Sequence, residues 1–188
     1  THYENVFITQ QAELNFMKQE EKYNITIGAS MQPSYTKSVG EGRDTSYTVT
    51  NFSPAARIDY RFSDDKFLRV RYRGRTSQPS INQLMPVNDN SDPLKQTVGN
   101  PNLDPEFTHS LSTEYRSNNR RNFSFFSASA DFSFTQNDIV AKKYYTEEGV
   151  QISTYENADK NVYSASGRIM VNTPIAKSNF SVNSFTMV

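Results

Sequence analysis

Six arginines at regular spacing are the residues of this sequence best placed to do chemistry. Four recur at every second position and two precede them: Arg69, Arg71, Arg73 and Arg75, after Arg57 and Arg61. Because successive side chains of a β-strand point to opposite faces, this spacing gathers the guanidinium groups of one strand on a single face. Guanidinium groups bind carboxylates and phosphates through paired hydrogen bonds, so this face is a candidate for contact with an anionic group.

The same row of arginines needs partners of opposite charge. Like charges at this spacing repel one another, so acidic side chains or water must stand opposite them. Asp59 and Glu114 are the residues that we expect to form local ion pairs. If the strand with Arg57 and Arg61 pairs with the next strand as a hairpin, all six arginines form one basic patch.

The inventory of reactive side chains argues against catalysis. The chain has 188 residues, no cysteine and only two histidines, His2 and His109. Without cysteine there is neither a disulfide frame nor a thiolate metal site, and two histidines nearly exclude a His-based zinc site or a Ser-His-Asp triad. The 20 basic and 20 acidic side chains cancel, which argues against nucleic acid as a partner. We therefore expect no enzyme activity, no cofactor and no catalytic or metal-binding residue.

One segment imitates a calcium-binding loop. Asn88, Asn90 and Asp92 have the spacing of the first ligands of an EF-hand. The glycine required next is Pro93, and the position of the bidentate glutamate falls on Gly99. A turn is therefore the better interpretation of this segment.

The segments that position the arginines alternate apolar and polar residues, which is typical of strands with two different faces. The sequence predicts an all-β fold, an antiparallel up-and-down meander of about eight long strands. A hydrophobic share of 35% alongside 24 Tyr and Phe residues fits a wall that is apolar on one face and polar on the other. The predicted strands cover 6–18, 23–35, 47–62, 67–75, 107–116, 123–146, 150–173 and 180–188.

The predicted connections fall into two classes. Short polar turns are expected at 19–22, 63–66, 117–121 and 174–178, and longer connections at 37–46 and 76–106. The second long connection holds five of the chain's eight prolines, which excludes a helix interior or a central strand. We expect 76–106 to be mostly without regular structure, with 67–75 and 107–116 as adjacent antiparallel strands. We also expect 123–146 and 149–173 to form one long hairpin.

Two motifs carry a resemblance to a known family. The first is Arg75-Thr-Ser-Gln-Pro-Ser-Ile-Asn-Gln-Leu-Met-Pro, followed by Asp92-Pro-Leu and by Val98-Gly-Asn-Pro-Asn-Leu-Asp-Pro-Glu106. The second is Gln136-Asn-Asp-Ile-Val140, followed by Gly149-Val-Gln-Ile-Ser-Thr-Tyr-Glu-Asn157 and Tyr163, with Ser164 in place of the family's glycine. Together they resemble the outer-membrane β-barrel family that includes TonB-dependent receptors of Gram-negative bacteria.

The resemblance implies a location and a set of partners. It implies that residues 1–188 are a single β-barrel segment in the cell outer membrane, about a third of a wall of roughly 22 strands. It implies contact with membrane lipid, with a plug domain and the remaining barrel strands of the parent chain, and indirectly with TonB. We expect no plug domain and no signal peptide within these residues. The two outer strands of such a segment are unpaired edges, through which the isolated segment is expected to self-associate.

The resemblance implies uptake of a scarce solute, with the six arginines facing the lumen of the barrel. There they contact a plug or an anionic solute, or, as the alternative, they only keep the polar interior solvated. An alternative is a soluble β-sheet binding module, for example one that binds carbohydrate. A barrel wall needs an exposed apolar band on every strand, whereas a sandwich buries its apolar faces against each other.

Overall fold

The computed structural model describes residues 3–40, 43–84, 89–92, 94–147, 149–175 and 180–188. Within these ranges the chain forms strands and one helical turn: β1 Tyr3–Thr9, β2 Ala12–Gln19, β3 Tyr23–Gly40, β4 Arg43–Ser63, β5 Lys66–Ser77, α1 Ile81–Leu84, β6 Asp89–Asp92, β7 Lys95–Thr97, β8 Glu106–Asn119, β9 Ser124–Gln136, β10 Ile139–Tyr145, β11 Gln151–Asn157, β12 Val162–Pro174 and β13 Ser181–Met187.

Most strands belong to one sheet, here called the main sheet. Its order is β1-β3-β4-β5-β8-β9-β12-β13, and β2 pairs with β3 beside β1. Three of the long strands predicted from the sequence are each divided into two segments by a short interruption: β1 and β2, β9 and β10, and β11 and β12. When each of these pairs is counted as one strand, the meander has the eight long strands that the sequence predicts. The prediction of an all-β antiparallel meander is confirmed.

β5 and β8 are neighbours, as expected for the strands that flank the long loop. Asn118 N–H donates to Asp65 O at 2.7 Å, and the Tyr72 hydroxyl lies 2.8 Å from His109 Nδ1. As the residue number falls on β8 it rises on β5, so the two strands are antiparallel.

β1 and β2 are one strand that is interrupted at Gln10, and the register with β3 is the same before and after the gap. Gln10 N–H donates to Pro33 O at 3.0 Å. Proline has no N–H to donate in return, so the ladder loses one bond at this level. The break between β1 and β2 is therefore explained by the proline on the neighbouring strand.

The main sheet has an apolar face with little cover. Ile25 lies opposite Ile58, which lies opposite Val70, so apolar side chains line up across three strands. Leu14 and Phe16 on β2 are 81% and 64% exposed. Among the described residues the buried hydrophobic core consists of Leu103 alone, at 8% exposure. A sandwich would cover this face with a second sheet, so the exposure favours the barrel-wall interpretation over the soluble binding module.

The chain divides into two compact units. One contains 1–75, 109–133 and 163–188, and the other contains 76–108 and 134–162. The second unit holds a small sheet in the order β10-β11-β7-β6. In it, β10 pairs antiparallel with β11, and β7 pairs parallel with the other edge of β11.

The long loop has more local structure than the sequence predicts. α1 is a single turn, and β6 and β7 are short strands inside the predicted irregular region. The parallel pairing of β7 with β11 was not predicted, because it joins segments more than 50 residues apart and no local pattern encodes it. Most of 98–105 has no regular structure, as expected.

The long connection predicted at 37–46 is wrong. β3 and β4 stay paired up to Gly40 opposite Arg43, so the strands run on through the predicted connection. The predicted turn at 117–121 also begins late, since β8 continues to Asn119 and the turn follows at 120–123. Residues 176–179, which include most of the turn predicted at 174–178, lie outside the described residues.

The predicted long hairpin is confirmed at its tip. Tyr144 pairs with Ile152 and Tyr145 with Gln151, and Gly149 adopts a φ of 82°, which glycine reaches without strain. Residue 148 of the predicted tip lies outside the described residues. Lower down, both strands are interrupted, at 137–138 and at 158–161.

We predict that Gly28→Ala destabilises the main sheet. A Cβ at this position would lie 2.8 Å from Leu14 O and closer still to Asn15 Oδ1. The amide of Asn15 can move, but the backbone carbonyl of Leu14 cannot, so we expect a cost of about 1–3 kcal/mol in the free energy of unfolding. Urea unfolding in detergent micelles measures it.

Gly167→Ala is the matched control, because a Cβ there would meet Ser129 O only at 3.9 Å. We expect this second variant to change the free energy of unfolding by less than about 0.5 kcal/mol. Equal stability of the two variants would contradict the close approach of β2 to Gly28.

Candidate functional site: the charged face of the main sheet

The hairpin of β4 and β5 brings the predicted arginines together. A turn at Asp64 and Asp65 joins the two strands, and the register places Asp59 opposite Arg69 and Arg57 opposite Arg71. These residues and Arg73 alternate with the apolar row of the same strands, so they share the other face of the sheet. By the same alternation Arg61 and Arg75 also lie on this face. We call it the charged face; it carries Arg57, Asp59, Arg61, Arg69, Arg71, Arg73, Arg75, Glu114 and Arg116.

A chain of ion pairs crosses three strands of the charged face. Asp59 accepts from Arg57 Nε and from Arg69 Nε, each at 2.6 Å. Arg69 Nη1 lies 3.8 Å from Glu114 Oε2, and Glu114 Oε1 also pairs with Arg116. The side chains of Asp59 and Glu114 are both 23% exposed, so each acidic group is partly withdrawn from water between two arginines. The two acidic residues expected to pair with the arginines do so.

Phe67 extends this chain of contacts with an aromatic ring. The guanidinium carbons of Arg69 and Arg116 lie 5.4 and 5.7 Å from the centre of the ring. The negative face of an aromatic ring attracts cations, so Phe67 holds the two arginines of neighbouring strands close to each other. The contribution of Phe67 and Arg116 was not predicted, because Phe67 reads in sequence as part of an apolar run.

The remaining predicted arginines differ from this group. Arg71 and Arg73 line a hollow of about 600 Å³ together with Asp131 and small polar residues, among them Ser112 and Ser133. Among the residues that the structure describes, neither arginine forms an ion pair. Both are exposed, as are Arg61 and Arg75. The charged face therefore contains a paired cluster near the short turns and unpaired arginines beside the hollow.

A second hollow of about 920 Å³ lies at the level of the short turns. Its lining combines acidic and basic residues at strand ends and in the short turns between strands, including Glu20, Asp65, Arg61 and Arg120. Arg120 Nε lies 3.3 Å from Asp65 Oδ1, and both side chains are well exposed. This lining is nearly balanced, with six basic and five acidic residues, whereas the lining of the hollow beside Arg71 has three arginines and one aspartate.

His109 does not belong to the charged face. Its Nδ1 lies 2.8 Å from the Tyr72 hydroxyl, and the two rings are 6.0 Å apart. It therefore packs between strands of the apolar face. His2 lies outside the described residues, as do Asn88 and Pro93 of the segment that imitates a calcium loop.

No group of three or more His, Cys, Asp or Glu side chains able to hold a metal ion occurs among the described residues. In the same part of the chain, no helix is both long and apolar enough to cross a membrane.

Asn157 is the polar residue whose importance the sequence did not reveal. Its side chain joins Asp104 to Asn137, and Glu106 makes a similar side-chain contact with the backbone of Ile139. Both residues lie inside the two sequence motifs, which was the only signal available. Their contacts are local to the second compact unit.

We predict that Asp59→Asn destabilises the protein by about 1–2 kcal/mol, because it leaves Arg57 and Arg69 without the charge that lies between them. Urea unfolding at low salt measures the loss, and the difference from the wild type is expected to shrink at high salt. Asp65→Asn is the control: it breaks a well-exposed pair with Arg120 and should cost less than about 0.5 kcal/mol. An equal cost for both variants would contradict a special role for Asp59.

The comparisons with known proteins agree with this architecture. Residues 8–188 match the outer membrane protein beta-barrel family. No curated protein matches the chain. Among the solved structures that share the fold are two of siderophore receptors called PirA. The receptor from Pseudomonas aeruginosa is 15% identical with a TM-score of 0.55, and the alignment covers 99% of this chain and 43% of that one.

The receptor from Acinetobacter baumannii is 10% identical with a TM-score of 0.53, over 93% of this chain and 35% of that one. The chain thus spans less than half the length of either structure, and identities this low show the fold alone. The family match, in contrast, covers nearly all of the sequence. The chain belongs to the outer membrane protein beta-barrel family, and its location is the outer membrane.

Proposed function

We propose that this chain forms part of the barrel wall of a TonB-dependent receptor, which takes up a scarce solute and catalyses no reaction. The observation that carries the proposal is the contrast between the two faces of the main sheet. The apolar face meets lipid, and the charged face lines the lumen. Beyond β1, β2 and β13, the strands at the ends of the sheet, the remaining strands of the parent chain complete the wall.

The apolar face supports this assignment through its aromatic residues as well as its aliphatic row. Near the short turns, the rings of Tyr60 and Phe62 are 4.7 Å apart, Phe62 and Tyr115 are 6.2 Å apart, and Tyr115 and Phe126 are 6.1 Å apart. Outer-membrane barrels carry girdles of aromatic residues where the wall meets the headgroups. This band, next to aliphatic Ile58 and Val70, has the composition expected of one such girdle.

The charged face supports a polar lumen. A charged residue on the lipid side costs about 2–4 kcal/mol at the bilayer midplane, so the arginines of β5 face inward in a membrane-embedded wall. The paired cluster around Asp59 neutralises itself. Arg71 and Arg73 lie beside a hollow and form no ion pair with any described residue, and this makes them the residues for contact with an acidic surface of the plug or with an anionic solute.

The solute class to test first is an iron chelate. Two of the solved structures with the same fold are of siderophore receptors, and siderophores are iron chelators. The support is a likeness of fold at low identity, so the solute is a proposal separate from the barrel itself.

Deletion of the gene for the full-length protein tests the proposed uptake. We expect the deletion strain to lose uptake of at least one labelled iron chelate under iron limitation, and plasmid-borne wild type to restore it. Unchanged uptake of every chelate tested would contradict the proposal that the solute is an iron chelate. Unchanged growth on every large scarce solute would contradict the proposal that the protein is an uptake receptor.

Complementation with Arg71→Gln/Arg73→Gln tests the role of the unpaired arginines. We expect uptake to fall about tenfold at an unchanged amount of barrel in the outer membrane, because the contact with plug or solute loses two charge-assisted hydrogen bonds. Arg120→Gln/Arg121→Gln, at a short turn, is the control and should leave uptake normal. Normal uptake by the first variant would contradict a contact of Arg71 and Arg73 with plug or solute, and would mean that they only keep the lumen solvated.

A further inference from the structure

The long loop lies along one edge of β11. Gln151 N–H donates to Leu94 O at 2.8 Å, and Val98 N–H donates to Ser153 O at 2.9 Å. One step further, Asn100 Nδ2 donates to Tyr155 O at 3.0 Å. Alternate residues of a strand direct their backbone groups to the same edge, so the loop follows this edge of β11 in steps of two residues.

Asn157 is the next residue in this series, and it binds with its side chain. Its Oδ1 accepts from Asp104 N–H at 2.8 Å, and its Nδ2 donates to Asp104 O at 2.9 Å and to Asn137 O at 2.7 Å. An amide offers both acceptor and donors, which neither a carboxylate nor an aliphatic side chain of this size provides. Asn157 therefore ties the loop to the hairpin and to the interruption between β9 and β10.

The interruption itself depends on an unusual backbone conformation. Asn137 has a φ of 54°, in the left-handed region that asparagine tolerates better than most residues. Its carbonyl is one of the groups that Asn157 binds. Opposite, Ala158 N–H donates to Asp138 O at 2.7 Å, so the hairpin is closed just below the level of Asn157.

Glu106 makes a second attachment at the same level. Its Oε1 accepts from Ile139 N–H at 2.8 Å, and Ile139 is the residue paired with Asn157 across the hairpin. The loop is thus held at both strands where the hairpin begins. Between Asn100 and Asp104 lies Leu103, the buried hydrophobic residue of the described chain.

We propose that Asn157 and Glu106 form an intramolecular latch that fixes residues 94–106 to the hairpin of β10 and β11, so that both segments move as one body. The latch also keeps the outer edge of β11 closed, which leaves no site there for another strand of the barrel or a second copy of the chain. It does not depend on what the receptor imports, so its test is independent of uptake.

Hydrogen exchange in the full-length protein tests the latch. In Asn157→Leu we expect the amides of Val98, Asp104 and Gln151 to exchange about tenfold faster or more, because opening the loop no longer breaks three side-chain hydrogen bonds. Glu156→Gln is the matched control: it removes only the surface ion pair with Lys142, one residue away. Its exchange rates should equal those of the wild type.

Glu106 gives a second, milder pair of variants in case Asn157→Leu does not fold. Glu106→Gln keeps the acceptor oxygen and should retain protection, whereas Glu106→Leu should lose it at Ile139. The absence of native cysteine allows a further readout, since Gln96→Cys and Ile152→Cys face each other in the β7–β11 register. Their disulfide should form several-fold more slowly on the Asn157→Leu or Glu106→Leu background. Unchanged exchange and unchanged disulfide formation in both backgrounds would overturn the latch.

Discussion

The exposed apolar face of the main sheet is the constraint on which the rest of the structure depends. A sheet whose described residues bury little more than Leu103 gains almost nothing from a core of its own. Its backbone is satisfied by the ladders, but its apolar side chains need another apolar medium. In the proposed barrel wall, lipid supplies that medium on one face. The opposite face then holds the charged side chains in the middle of β4, β5 and β8, and this is where the ion pairs around Asp59 become necessary.

Most of what could be predicted from the sequence came from the alternation of apolar and polar residues with a period of two. It separated Arg69 and Arg71 from Leu68 and Val70, and it identified the strands and the faces on which they lie. The prolines of 76–106 correctly predicted a connection without long regular elements. The ends of strands were predicted less accurately, as at 37–46. Polar residues in an extended hairpin resemble a loop in the sequence when they do not alternate with apolar residues. The period of two places Phe67 on the face of Arg69, but the sequence could not show its contact with Arg116, which lies on β8.

The two sequence motifs have a common physical meaning in the second compact unit. The first supplies Asn100, Asp104 and Glu106, and the second supplies Asn137 and Asn157. Their side chains and backbone groups bind one another across 20 to 55 residues of sequence, and sequence patterns contain no geometric information over such separations. Resemblance to a family identified the motifs, but only the structure shows that they are the two sides of one contact. The parallel pairing of β7 with β11 lies next to the same contact along β11.

The most direct test of the account is the environment of two adjacent residues on β5. Val70→Cys and Arg71→Cys, introduced separately into the cysteine-free background of these residues, can each carry an environment-sensitive fluorophore in the full-length protein in liposomes. With quenchers attached to the lipid chains, the account predicts strong quenching at position 70 and little at position 71, which should respond instead to a water-soluble quencher. Equal quenching by lipid at both positions, or the reverse order, would contradict a wall with a lipid face and a charged lumen face.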